Sequence, residues 1–294
     1  MKFNRLFSGR AALALLGVLA LPGAAMAQAA FATPELAADA FIAAVAAKSN
    51  AEHERVLGKE WRKLLPPEGV DPADRQVFLD KAKQARAVVI TDGRGELVVG
   101  ADKWPFPIPL MRTADGQWRF DPQGGHEAIR ERVIGANERS AMQASLAYID
   151  AQRDYAAADR NGDGVREYAR RLVSNTGKRD GLIWSPKLGD DSPLGEAYVS
   201  GKPGAGYHGY RFKILEAQGP GAPGGARGYL IGNRLLSGFA LVAWPVTYGQ
   251  SGVMSFIVNH DGKLYERDLG PNTPTVASGI KVYDPDAQWK PTKP

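Results

Sequence analysis

Apolar positions recur along this chain first at the spacing of a helix and then at that of a strand. Thr33-Pro34-Glu35 opens the first helical stretch, with an N-cap residue followed by proline at the first helical position. Ala37, Ala40, Phe41, Ala44 and Val45 fall at i, i+3, i+4, i+7 and i+8, one face of an amphipathic helix. A second helix is expected over residues 51–57, and Asp71-Pro72 caps a third that carries Phe78 and Ala82. Alternation then takes over. Residues 87–91, 96–99, 104–112 and 117–121 read as strands, separated by Asp92-Gly93, Gly100-Ala101-Asp102 and Asp115-Gly116. Helices followed by an antiparallel meander predict an α+β domain.

Within the meander, Trp104-Pro105-Phe106-Pro107-Ile108-Pro109-Leu110 places Trp104, Phe106, Ile108 and Leu110 on one face. Its three prolines remove the N–H groups that would point toward one neighbour, which predicts an edge strand protected from aggregation. The alternative is an exposed Trp/Phe groove for a partner or ligand, and the burial of Trp104 separates the two.

The second half repeats the logic. Gly124-Gly125 marks a joint, residues 126–134 look helical, Gly135 interrupts, and Asn137 caps a longer helix to about Ala158. Met142, Ser145, Ile149, Gln152 and Ala156 form one stripe of that helix, flanked by Leu146 and Tyr148. A short helix is expected at residues 168–173. Strands are expected at 207–215, 227–231, 239–244, 253–258 and 264–268, with Asp261-Gly262 as a hairpin turn. Residues 218–225 are too rich in Gly and Pro for regular structure and read as a surface loop.

With 294 residues the chain is sized for two small domains, expected at 28–124 and 125–294. Lys2, Arg5 and Arg10 precede an apolar run over residues 11–21, and Ala25-Met26-Ala27 is a small-x-small cleavage site. Residues 1–27 are therefore expected to be a signal peptide cut before Gln28, leaving a periplasmic or secreted protein with no membrane-spanning segment. Its loss removes three of the 37 Lys+Arg and no acid, leaving 34 against 32 Asp+Glu. That balance gives nucleic-acid binding no support. The lack of any Cys excludes disulfides, thiol nucleophiles and thiolate metal sites.

Asp159, Asn161, Asp163, the Val165 carbonyl and Glu167 occupy positions 1, 3, 5, 7 and 9 of an oxygen-rich calcium loop, with Gly164 at position 6. Arg170 stands at position 12, where a bidentate Glu would complete the site, so binding would be weak, about 10⁻⁴ to 10⁻³ M. The competing reading is a set of Asx-turns that need no metal. His126-Glu127 lacks the second His of a zinc helix, and Gln250-Ser251-Gly252 lacks the frame of a nucleophile elbow. The glycines of residues 219–228 make neither a Walker loop nor a dinucleotide turn. Asp190-Asp191 reads as a solvated turn.

Several blocks occur in a common order with a bacterial envelope family known as domain of unknown function 2950, which the chain resembles. They are WPFPIPL (104–110), WRFD (118–121), AYIDAQRDY (147–155), DRNGDGVREY (159–168), GKRDGLIW (177–184), YHGYRF (207–212), GFALVAWP (238–245), GVMSFIVN (252–259) and DLGP (268–271). The resemblance implies an exported soluble or envelope-associated protein and supplies no activity. Lys178, Arg179, Asp180, Tyr207, His208 and Tyr210 lie in these blocks and are candidates to line a pocket for an anionic ligand. The bland alternative has Arg179 and Asp180 fixing a loop and the tyrosines packing the sheet.

The first half is also similar to cystatin-like and nuclear-transport-factor-like modules, and the second to the globular part of pilins, where a long helix packs on an antiparallel sheet. Pilins assemble through a wholly apolar helix. Here the corresponding helix carries Glu138, Arg139, Asp150, Arg153 and Asp154, so filament assembly is not expected. The leading expectation is a non-enzymatic module that binds an envelope protein or an anionic small ligand, with calcium as an optional brace. The alternatives are an envelope hydrolase built around His208 and Asp180 and a minor-pilin-like assembly component.

Overall fold

The computed structural model describes residues 27–65, 69–195 and 206–294, so the expected signal peptide lies outside the described residues except for Ala27. The chain divides into two compact units, one ending at Pro122 and the other spanning Gln123–Pro294.

The first unit packs three helices on an antiparallel sheet. In α1 (Pro34–Ala47), α2 (Asn50–Leu57) and α3 (Pro72–Gln84), the Thr33, Ser49 and Asp71 side chains accept from the backbone N–H of Leu36, Glu52 and Ala73. Each cap satisfies a donor that a helix start leaves unpaired. Ala37, Ala38, Phe41, Ala44 and Val45 are the buried face of α1. The strands are β1 (Arg86–Thr91), β2 (Arg94–Val99), β3 (Trp104–Pro105), β4 (Leu110–Arg112) and β5 (Trp118–Phe120), ordered β1-β2-β4-β5 with β3 also on β2.

The expected single strand over residues 104–112 is two strands. Val99 pairs with Trp104 and Val98 with Pro105, but Gly95 pairs with Leu110, a register shift of two residues. The ladder continues to Phe106, whose N–H donates to Leu97 O at 2.7 Å. Pro107 and Pro109 have no N–H with which to extend it, so the chain loops out there and rejoins at β4. β4 then pairs on both sides, and the edge expectation holds only for β3. Trp104 is 39% exposed at the rim, while Phe106 packs against Phe41, Phe78 and Phe120. The exposed Trp104 ring meets those of Phe78 and half-buried Phe106 edge-on, each at 6.5 Å between centroids.

The second unit begins with α4 (Pro122–Ala156), one continuous helix of 35 residues. The expected breaks at Gly124-Gly125 and Gly135 do not occur, and Asn137 is not a cap. A glycine costs a helix interior about 1 kcal/mol relative to Ala, a penalty that three scattered glycines do not raise enough to stop a helix with a long buried stripe. That stripe includes Met142, Ser145, Tyr148, Ile149, Gln152 and Tyr155. Asn137 instead donates through Nδ2 to Ser251 O at 2.9 Å.

Beyond α4 come β6 (Tyr210–Leu215), β7 (Ala217–Gln218), β8 (Arg227–Gly228), β9 (Leu230–Ile231), β10 (Arg234–Leu235), β11 (Ala240–Pro245), β12 (Met254–Asn259), β13 (Leu264–Asp268), α5 (Thr273–Gly279) and β14 (Lys290–Pro291). The main sheet is antiparallel in the order β14-β13-β12-β11-β6, and β7-β8 and β9-β10 form small ladders. Residues 227–231 are thus two short strands, because the Tyr229 N–H between them turns to Glu216 O. Residues 168–173 are not helical. The Tyr168 N–H goes to Leu235 O, and the Arg171 and Leu172 carbonyls accept from Leu182 and Ile183. The 218–225 loop closes on buried Gln218, whose Nε2 donates to Pro223 O and Gly225 O.

Helices cover both faces of the sheet. Glu138 Oε1 accepts the N–H groups of Val253 and Met254, and Tyr210 donates to Met254 O, which sets α4 against the face carrying Tyr210. Lys213, one residue out of phase with Phe212, points the other way. Its Nζ donates to Ser278 O at 2.6 Å and to Ile280 O, capping the last carbonyls of α5.

Candidate functional site

The calcium-like loop folds as a nest of Asx-turns. Asp159 Oδ1 accepts from Asn161 N and Gly162 N, and its Oδ2 from Gly164 N at 2.7 Å. The Gly164 N–H in particular holds the Asp159 carboxyl below the usual carboxylate range. Asn161 Oδ1 and Asp163 Oδ1 accept from Asp163 N and Val165 N, and Asn161 Nδ2 donates to Asp163 and lies 3.5 Å from Glu167 Oε1. The remaining charge of Asp163 meets Arg234, whose two terminal nitrogens lie 3.1 and 2.6 Å from its oxygens. Arg170 at position 12 turns away to Glu216 and Asn233. This donor set does not complete a calcium site. One carboxylate is already neutralised by a guanidinium, and among the described residues no group of three or more His, Asp or Glu side chains converges as metal ligands.

The six residues nominated for an anionic ligand are distributed among separate tasks. Arg179 forms a fork on Asp190 (2.8 and 2.6 Å) and donates to Leu188 O. Its own carbonyl accepts from Tyr155, whose phenol burial pushes up to about 12. Asp180 accepts from the Asn175 backbone N–H at 2.7 Å and from its amide at 2.5 Å. Desolvation pushes the Asp180 carboxyl up, but these bonds outweigh it and leave the group below its ordinary value. Lys178 is exposed in the same turn.

Tyr207 and Tyr210 exchange both backbone hydrogen bonds around His208-Gly209, whose positive φ values of 46° and 71° make the tight turn entering β6. His208 stands exposed at its tip, and no hydrogen bond or ion pair joins it to Asp180 among the described residues. Tyr210 is wholly buried, and burial raises its pKa. Only Tyr207 of the six lines an open hollow of about 460 Å³ beside α4, together with Asp150, Asp154 and Leu194. Two carboxylates on that rim repel an anion.

Two braces escaped the sequence reading. Asp190, expected as a solvated turn, bridges Arg179 and Arg160, and Arg160 also lies over the rings of Tyr155 and Trp184. Gln152 holds Ala169 through both backbone groups, while Tyr148 donates to Ala240 O and accepts from Gln152. A glutamine on an apolar helical stripe was the visible signal for the second.

Helices and antiparallel sheets in both units make this an α+β protein. A family model described as "Protein of unknown function (DUF2950)" matches residues 28–292, and the chain belongs to that family. No curated protein matches the chain, and no solved structure does. The likenesses to cystatin-type modules and to pilins therefore gain no structural support.

Proposed function

We propose that the chain is exported through its N-terminal leader and works outside the cytoplasm as a binding module that does not turn over its ligand. One observation carries this reading. Four of the side chains nominated for chemistry are committed to holding the fold: Asp180 to Asn175, Arg179 to Asp190, Tyr210 to Met254 and Asp163 to Arg234. A general acid or base needs an uncommitted, substrate-facing proton site, and among the described residues no carboxylate orients His208 at its turn tip. Arg234 takes the part that calcium would have in bracing the 159–167 loop. The ligand class that suits this reading is an envelope protein or an anionic small molecule.

The test is turnover. Purified protein and its His208→Ala variant are incubated with cell-wall fragments and envelope glycans, and neither is expected to form product. A product made by the parent and lost in the variant would overturn the proposal.

A further inference from the structure

Among the described residues, three buried side-chain polar atoms lack a hydrogen-bond partner: Trp61 Nε1 in the first unit, and Trp244 Nε1 and Ser255 Oγ in the second. The last two are neighbours. Ala243 pairs with Phe256 in the β11-β12 ladder, so the next step of that register sets Trp244 opposite Ser255. Directly opposed residues of an antiparallel pair project to the same side. The row continues outward, because Trp244 pairs with Arg211 of β6 and Ser255 with Arg267 of β13. Four side chains rich in donors, Arg211, Trp244, Ser255 and Arg267, thus lie in one line across the sheet. Among the described residues, neither guanidinium has a hydrogen-bond or ion-pair partner.

Charge segregates in the same sense. On this face of β6, β11, β12 and β13 the charged residues are Arg211, Lys213 and Arg267, and on the other they are Glu266 and Asp268. Residues 269–283, which include α5 on this face, contain one Lys and no acid. Burial lowers the Lys213 pKa, and Lys281 adds to the shift.

We propose that Arg211, Trp244, Ser255 and Arg267 form a binding site for a single oxyanionic group, a phosphate or carboxylate. This rests on the binding reading above and names its ligand class and residues. Three strand spacings, about 14 Å in all, separate the Arg211 and Arg267 backbones. Two guanidiniums leaning inward close on a group of that size, with the indole N–H and the hydroxyl as the floor. Arg211 is exposed and Arg267 half-buried, so the rim is open to solvent and can move, while the floor, with Trp244 6% exposed and Ser255 fully buried, admits nothing bulky. Guanidiniums suit this task because their planar donors match the oxygens of phosphate and carboxylate.

The test uses the full chain and inorganic phosphate, followed through the indole N–H resonance of Trp244, which Trp244→Phe assigns by deletion. The resonance is expected to shift saturably at millimolar phosphate. Arg211→Ala and Arg267→Ala, both outside the core, are each expected to weaken binding about tenfold or more. No shift by 50 mM phosphate overturns the site, and so does a shift that persists in both arginine variants, which would mark an adventitious ion only. A second arm separates the sources. Co-sedimentation with phosphatidylglycerol vesicles but not phosphatidylcholine vesicles, lost in the arginine variants, assigns the site to a lipid headgroup. Its absence with the phosphate response intact assigns it to a soluble ligand. Hydrolysis of a phosphate ester at this site would end the non-catalytic reading and leave the site standing.

Discussion

The side-chain amide of Gln152 pairs with both backbone groups of Ala169, donating from Nε2 to its carbonyl at 2.8 Å and accepting its N–H on Oε1 at 2.8 Å. A side chain thus completes what a neighbouring strand would otherwise supply, and it pins the irregular 159–183 segment to α4. Both residues are buried. Gln152→Ala leaves a donor and an acceptor without water, at about 1–3 kcal/mol per orphaned group. We expect the second unit to lose about 3 kcal/mol in urea unfolding. A loss below about 1 kcal/mol would mean that solvent reaches Ala169.

The Asp163–Arg234 pair gives a different magnitude. Both side chains are about a third exposed, so solvent screens the attraction, and Arg234→Ala is expected to cost less than about 1 kcal/mol. Because Arg234 already neutralises Asp163, 2 mM calcium chloride should leave the thermal midpoint of the parent protein unchanged. A rise of several degrees would restore the calcium reading of the loop.

Asp159 links that loop to pH. Its folded-state pKa lies below the unfolded Asp value of about 3.9, chiefly through the Gly164 N–H. The sign for a depressed acid is that its stabilisation is fully present above the unfolded pKa and is lost as pH falls through the folded one. The Gly164 amide resonance should therefore hold its position down to about pH 4 and move only below it. Movement centred above the ordinary Asp value would contradict the hydrogen bonding described.

Gly252 leaves no room for a side chain. A Cβ there would lie 2.1 Å from Tyr210 Oη, and Tyr210 is fully buried with its hydroxyl committed to Met254 O. Gly252→Ala is expected to cost about 3 kcal/mol, the upper end of core overpacking. The ring carbons Cζ and Cε2 of Tyr210 lie 2.6 and 2.7 Å from that Cβ as well, so Tyr210→Phe/Gly252→Ala, which removes only the oxygen, should recover little of the loss in the same denaturation experiment.

Much of the fold was legible because its determinants are local. Thr33 and Asp71 cap the helices they were expected to cap, and Asp261-Gly262 turns the β12-β13 hairpin, with Gly262 N–H donating to Asn259 O. The misreadings arose where a distant partner overrides a local rule. Gly135 does not stop α4, and Pro107 and Pro109 mark a two-residue slip of register along β2 that alternation alone does not reveal. The candidate cluster dissolved for the same reason, since nothing in the sequence says that Arg179 faces Asp190. The Arg211–Trp244–Ser255–Arg267 row is legible only after four strands are aligned. Its one local trace is the alternation Tyr-Arg-Phe-Lys-Ile-Leu over residues 210–215, which puts cations on a face that reads as core.

The central claim is that this protein holds an anionic ligand and does not transform it. The most direct measurement incubates the purified chain with native envelope extract and follows small molecules by mass spectrometry, both retained on the protein and free, over time. The account predicts an anion retained with its mass unchanged and absent from the Arg211→Ala/Arg267→Ala variant. A species whose mass changes in proportion to added protein would contradict it.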